Sequence, residues 1–70
     1  MNVNEIRQAV DNGLTVFWCS PAYQVIKDKI GQYLIMYYKG DYVGLTWQNS
    51  DTLNGEESEF YLQGNKPHDI

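Results

Sequence analysis

The sequence predicts an α+β domain in which one N-terminal helix is followed by a five-stranded antiparallel β-meander. Apolar residues recur at helical spacing before Gly13 and alternate with a period of two after it. Turn residues then divide the alternating part at hairpin-length intervals. Seventy residues restrict the chain to one domain, because a chain this short buries only about 60% of the surface it exposes when unfolded. The expected domain covers residues 1–63, with residues 64–70 as a flexible tail containing Gly64 and Pro67. Closure into a small SH3-like barrel is one arrangement open to five such strands.

The helix is expected from about Val3 to Asn12. Asn2 or Asn4 can cap its start, Glu5 complements the first turn, and Ile6, Ala9 and Val10 form one apolar stripe. Gly13 supplies the stop. Leu14 to Cys19 follows as a first strand, rich in β-branched and aromatic residues and ended by Ser20-Pro21, since proline cannot donate to a ladder. Cys19 beside Trp18 reads as a packing residue. Further strands are expected over Tyr23 to Asp28, Gln32 to Lys39, Tyr42 to Gln48 and Glu59 to Gln63.

Two turns set the register. Asp28-Lys29-Ile30-Gly31 reads as a type I turn with a left-handed glycine, the common three-residue hairpin loop with a bulge, which places Val25 opposite Ile35 and Ile26 opposite Leu34. Gly40-Asp41 suits a two-residue II′ turn, which sets Tyr38 opposite Val43, Met36 opposite Leu45 and Leu34 opposite Trp47. One face then holds Ile26, Leu34, Met36, Tyr38, Val43, Leu45 and Trp47, and is the expected core. The other holds Tyr23, Val25, Lys27, Tyr33, Ile35, Tyr37, Tyr42, Gly44 and Thr46. Its tyrosines are either covered by the helix or the first strand, or form a contact surface, a use that suits a stiff ring with a water-tolerant hydroxyl.

Charge is unevenly distributed in a chain of net charge −4. Gly40 to Asn65 carries Asp41, Asp51, Glu56, Glu57 and Glu59 and no Lys or Arg, whereas Met1 to Lys39 is nearly balanced. Such a field steers association with basic partners and repels phosphates. Gln48 to Ser58 is polar and turn-prone, so it reads either as a solvated loop or as a charged rim beside Trp47, Phe60 and Tyr61. Direct nucleic-acid binding is not expected: the chain has only five Lys and Arg residues, Lys27 and Lys29 flank one hairpin tip while Lys39 lies at the next, at the opposite end of the sheet, and backbone affinity needs them clustered.

Catalysis is not expected either. The one Cys and one His are Cys19 and His68, and a dyad needs its members held in hydrogen-bond reach, which a mobile tail does not supply. His68-Asp69 falls short of a metal shell, and Glu56, Glu57 and Glu59 lack calcium-loop spacing. No cofactor is expected. A lone cysteine in so small a domain points to the cytoplasm, and the N-terminal residues lack a signal-peptide apolar core, so neither export nor membrane insertion is expected.

The stretch from Gly31-Gln32-Tyr33-Leu34-Ile35 through Gly44-Leu45-Thr46-Trp47 to Thr52-Leu53-Asn54-Gly55 and Phe60-Tyr61 resembles short uncharacterised proteins of phages and other mobile elements. In size and acidity the chain is also similar to anti-CRISPR and other anti-defence proteins. That likeness implies a non-enzymatic inhibitor of a host nucleoprotein and transfers no site residue. The expected function is accordingly a protein-binding inhibitor or adaptor directed at a basic surface of nucleic-acid machinery. Asp41, Trp47, Glu56, Glu57 and Glu59 would supply the charged approach, and Tyr33, Tyr37 and Tyr42 the contact area. The alternatives are a self-associating module, a homodimer through the tyrosine face or an edge strand, and a single-stranded nucleic-acid binder stacking bases on its tyrosines.

Overall fold

The computed structural model of the chain describes residues 1–47 and 50–64. The proposed tail with His68 and the Gln48 end of the expected fourth strand lie outside the described residues, apart from Gly64.

Helix α1 spans Val3–Asp11. Asn2 is the cap: its Oδ1 accepts from the Glu5 amide at 2.8 Å while the Glu5 carboxylate accepts from the Asn2 amide at 2.8 Å. This reciprocal box satisfies two amides that a helix start otherwise leaves without partners. At the other end Gly13 takes φ +81°, and the Leu14 and Gly13 amides close onto Ala9 and Val10 carbonyls at 2.9 and 3.0 Å. That double closure turns the chain out of the helix. The stripe of Ile6 and Ala9 is buried.

The five strands are β1 (Val16–Trp18), β2 (Ser20–Lys27), β3 (Tyr33–Tyr37), β4 (Tyr42–Gly44) and β5 (Phe60–Leu62), all paired antiparallel in the order β4-β3-β2-β1-β5. The α+β class with a five-stranded antiparallel sheet is therefore the fold. The meander holds only through β4. The last strand returns to pair with β1, β4 and β5 are opposite edges of an open sheet, and the barrel is not formed.

The first hairpin has the expected register, Val25 with Ile35 and Ile26 with Leu34. Gly31 takes φ +90°, and Asp28 Oδ1 accepts from the Ile30 and Gln32 amides at 3.0 and 2.8 Å. The second hairpin departs from expectation by three residues, pairing Ile35 with Val43 and Met36 with Tyr42. Gly40, at φ +108°, closes a type I turn opened by Tyr37, with the Gly40 amide on the Tyr37 carbonyl at 2.8 Å and the Tyr37 amide on the Asp41 carbonyl at 2.7 Å. It repeats the geometry of Asp28 to Gly31 rather than opening a II′ turn.

An odd slip moves every β4 side chain to the opposite face, so Tyr42, opposite Met36, leaves the face it was expected to share with Tyr23, Tyr33 and Tyr37 and meets the recess only from its edge. Leu45 therefore joins Val25 and Ile35 in the core, together with Ile6, Ala9, Val16 and Phe60. The expected core face is corrected: Ile26, Leu34 and Met36 are only half-buried, and Tyr38, Val43 and Trp47 are exposed. The face bearing Tyr23 and Tyr33 is the one that packs under the helix, and both rings lie against the core.

The connection from β4 to β5 crosses this inner face. Leu45 to Trp47 pairs antiparallel with Thr52 to Asn54 through the Thr46 and Leu53 bridge, with the Asn54 amide on the Leu45 carbonyl at 2.8 Å and the Trp47 amide on the Thr52 carbonyl at 3.0 Å. Leu53 packs on the core. Gly55 then passes so close to Trp18 that a Cβ there would lie 2.7 Å from its Nε1. The acidic segment is thus held to the fold at three points before Phe60 enters the sheet.

Candidate functional site

The site begins at a strained residue. Cys19 is the one non-glycine with positive φ among the described residues, at +63°. It reverses the chain between β1 and β2, and the pairing shifts there, from Phe17 opposite Gln24 to Trp18 opposite Ser20. The residues accommodated by this irregularity include Pro21, which needs no ladder hydrogen there. The consequence is that Tyr23 stands beside Trp18. Cys19 itself is exposed, which corrects its expected role as a packing residue.

Five aromatic rings then form a ladder across the sheet. Phe60 and Trp18 have centroids 6.3 Å apart, Trp18 and Tyr23 meet edge to face at 5.1 Å, and Tyr23 and Tyr37, direct cross-strand partners, lie 4.8 Å apart. Tyr38 continues the row at 4.8 Å from Tyr37. Such spacings add about 0.5–1.5 kcal/mol per pair beyond area burial. The ladder runs from buried Phe60 to Tyr38, which is 69% exposed.

Trp18, Tyr23 and Tyr37 are the aromatic walls of a recess of about 280 Å³, with Ile35 and Val43 as its aliphatic lining. Asp41 and Tyr42, from the β3–β4 hairpin, and Asn54, from the crossing segment, complete it. Asn54 is fixed there by its backbone N–H, which donates to the Leu45 carbonyl at 2.8 Å, and by its Nδ2, which donates to the Gly44 carbonyl at 3.4 Å. Among the described residues no Lys or Arg lines the recess. Apolar area, aromatic residues and one acidic residue suit a flat or cationic group.

The wall at Trp18 is locked from behind. Glu59 Oε1 accepts from the indole Nε1 at 3.2 Å and from the Glu56 amide at 2.9 Å, and Oε2 accepts from Cys19 Sγ at 3.5 Å. These bonds, the Glu56 amide foremost, hold the Glu59 carboxyl below its ordinary value. Partial desolvation and then the Glu59 carboxylate push the Cys19 thiol up. A thiol held in its protonated form is a poor nucleophile.

The opposite end of the inner face is closed by ions. The Tyr33 hydroxyl donates to Asp11 Oδ1 at 2.7 Å and Lys27 Nζ donates to the same oxygen at 3.2 Å; both bonds, that from Tyr33 foremost, lower the Asp11 carboxyl, while Asp11 raises Lys27. The Arg7 guanidinium carbon sits 5.6 Å from the Tyr33 ring centroid, Lys27 Nζ 5.3 Å from it, and Arg7 Nη1 donates to Asp51 Oδ1 at 2.9 Å.

The residues singled out from sequence therefore fall into separate places. Tyr37, Asp41 and Tyr42 line the recess. Tyr33 and Trp47 line a different groove with Arg7. Glu56 and Glu57 face a third, beside the start of α1. Glu59 serves as an internal acceptor, Phe60 is buried, and the rim expected around Trp47, Phe60 and Tyr61 does not form. Trp18, Val43 and Asn54 were not anticipated at a site. Tyr23 was legible as a member of the tyrosine face, but its neighbour Trp18 arrives through the irregularity at Cys19, which no turn residue announces.

No protein family, no curated protein and no solved structure shows a match to this chain. No helix among the described residues is long and apolar enough to cross a membrane, and no group of three or more His, Cys, Asp or Glu among them is placed to hold a metal ion.

Proposed function

We propose that this chain is a non-enzymatic protein-binding module that docks on a basic surface. The observation that carries the reading is the aromatic recess with Asp41 at its edge, on a molecule of net charge −4 whose Glu56 and Glu57 are exposed. Aromatic walls give contact area at little entropic cost, and surrounding carboxylates speed encounter with a cationic partner. The likeness to phage-encoded anti-defence proteins supplies a target class, a host nucleic-acid-binding complex whose basic surface normally meets phosphate.

The test is affinity capture with the native chain beside two charge-reversed variants, Asp41→Lys and the pair Glu56→Lys with Glu57→Lys. A partner retained by the native chain, released by salt and weakened by either variant supports the reading. Identical capture by all three proteins, or none by the native chain, removes it.

Self-association is favoured as a second reading by the other face of the sheet. Phe17, Ile26, Leu34, Met36 and Tyr61 are half-buried there, with no charged residue among them, and among the described residues the helix packs on the opposite side. Sedimentation at two concentrations separates a monomer from a dimer.

A further inference from the structure

We infer that the aromatic recess is an arginine receptor: it takes one Arg side chain from a protein partner, stacked on the tyrosine wall and paired with Asp41. The inference rests on the proposed basic-surface reading and adds the chemistry of the anchoring contact.

The molecule already contains this arrangement in a satisfied form. At the far end of the same sheet face, the Arg7 guanidinium lies over the Tyr33 ring with its carbon 5.6 Å from the centroid and gives a hydrogen bond of 2.9 Å to the Asp51 carboxylate. Ring, guanidinium and carboxylate together make the contact. At the recess, two of these three are present. Tyr37 and Asp41 are held together by the backbone bond that closes the β3–β4 hairpin, 2.7 Å from the Tyr37 amide to the Asp41 carbonyl, and both line the cavity. Among the described residues no Lys or Arg lines this space.

Two other exposed-edge rings carry cations of their own. Tyr33 has Arg7 and Lys27, and Tyr38 has Lys39 Nζ at 5.7 Å. Among the described residues none is placed over Trp18, Tyr23 or Tyr37. Three electron-rich rings thus line the same space as one acidic residue, Asp41. An anionic or phosphate-bearing ligand is disfavoured there.

Size and shape select the ligand further. A recess of about 280 Å³ lies just below the range of roughly 300–1,000 Å³ typical of small-molecule sites, which suits one long side chain. Arginine fits better than lysine because its planar guanidinium stacks flat on a ring, is more weakly hydrated than an ammonium, and can meet a carboxylate with two parallel hydrogen bonds. The aliphatic stem would lie on Ile35 and Val43.

The experiment titrates the folded chain with three short peptides that differ at one position, bearing arginine, its neutral isostere citrulline, or lysine, while NMR follows the two indole resonances. The arginine peptide is expected to move the Trp18 indole and the Asp41 amide and to leave Trp47, in its separate groove, unmoved. Citrulline should bind about tenfold more weakly, with lysine between them. Asp41→Asn, checked as folded by its undisturbed spectrum, should bring arginine to the citrulline level. Equal binding of arginine and citrulline, shifts centred on Trp47, or full affinity in Asp41→Asn overturns the assignment. If that happens while the Glu56→Lys and Glu57→Lys pair still loses its captured partner, the receptor is wrong and the basic-surface reading stands.

Discussion

The Glu59 carboxylate accepts from the Trp18 indole at 3.2 Å, so a residue that reads as one of a solvated acidic run is the fastener between the crossing segment and the aromatic ladder. The same carboxylate holds the Glu56 amide at 2.9 Å. Both bonds require the ionised form to be at full strength.

Stability should therefore depend on pH through Glu59. Its folded value lies below the ordinary 4.5, so its contribution is complete above about pH 4.5 and is lost as pH falls through the lower folded value. Asp11, lowered by Tyr33 and Lys27, acts in the same direction. Urea midpoints measured from pH 7 to pH 3 should fall on the acid side. Glu59→Gln should be less stable at pH 7 and should show a shallower fall. An unchanged pH profile in that variant would mean that Glu59 is free in solution.

Gly55 is the second half of the fastener. An alanine Cβ there would lie 2.7 Å from Trp18 Nε1 and 3.5 Å from Glu59 Oε1, so either the indole or the segment must move. Overpacking of this kind costs about 1–3 kcal/mol. Gly55→Ala should lower the unfolding free energy measured in urea by that amount and alter the near-ultraviolet circular dichroism of Trp18. A variant as stable as the native chain, with the same spectrum, would place the segment away from the ring.

Cys19 stores strain of a different origin. At φ +63° a side chain costs roughly 1–2 kcal/mol, and glycine avoids this while giving back about 0.5–1 kcal/mol in chain entropy. Cys19→Gly should thus be neutral to slightly stabilising. Cys19→Val, β-branched and poorly tolerated in the left-handed region, should be destabilising by about 1–2 kcal/mol. Thermal melts of the two variants check the sign, and the reverse order would refute a left-handed residue at this corner.

What could be read from the sequence is what local chemistry determines. An asparagine cap at Asn2 or Asn4 with Glu5 in the first turn, the Gly13 stop and the Asp28 to Gly31 turn each rest on residues within a few positions of one another, and each forms, the cap at Asn2. The second hairpin could not be fixed that way. Gly40-Asp41 satisfies a II′ turn opened by Gly40 as well as a type I turn closed by it, and the two differ by three residues. Alternation could not arbitrate, because Tyr33-Leu34-Ile35-Met36-Tyr37 is apolar at every position and either face could be buried. The site inherited that ambiguity. Tyr37, Asp41 and Tyr42 are neighbours in one hairpin, and each reads from the sequence as a binding residue, the tyrosines as contact area and Asp41 as part of the charged approach, whereas Trp18 and Asn54 reach them only through the Cys19 corner and the crossing segment.

The choice of face is itself testable with two adjacent residues. Ile35 is 2% exposed and packs against Val25 and Leu45, while Leu34, one position earlier, is half-buried on the side away from the helix. Ile35→Ala removes buried methyl groups and leaves a cavity, at a cost of about 2–5 kcal/mol. Leu34→Ala gives up only part of a side chain's contact with its outer-face neighbours and should cost about 1 kcal/mol, since the site can refill with water. Denaturant unfolding of the two variants gives the comparison directly. Had the register followed a II′ turn at Gly40, Leu34 would be the buried partner of Trp47 and the order of the two losses would invert. The same pair bears on the recess, because Ile35 lines it and Leu34 does not. At peptide concentrations and temperatures where both variants remain folded, Ile35→Ala should weaken the arginine peptide and Leu34→Ala should leave it unchanged.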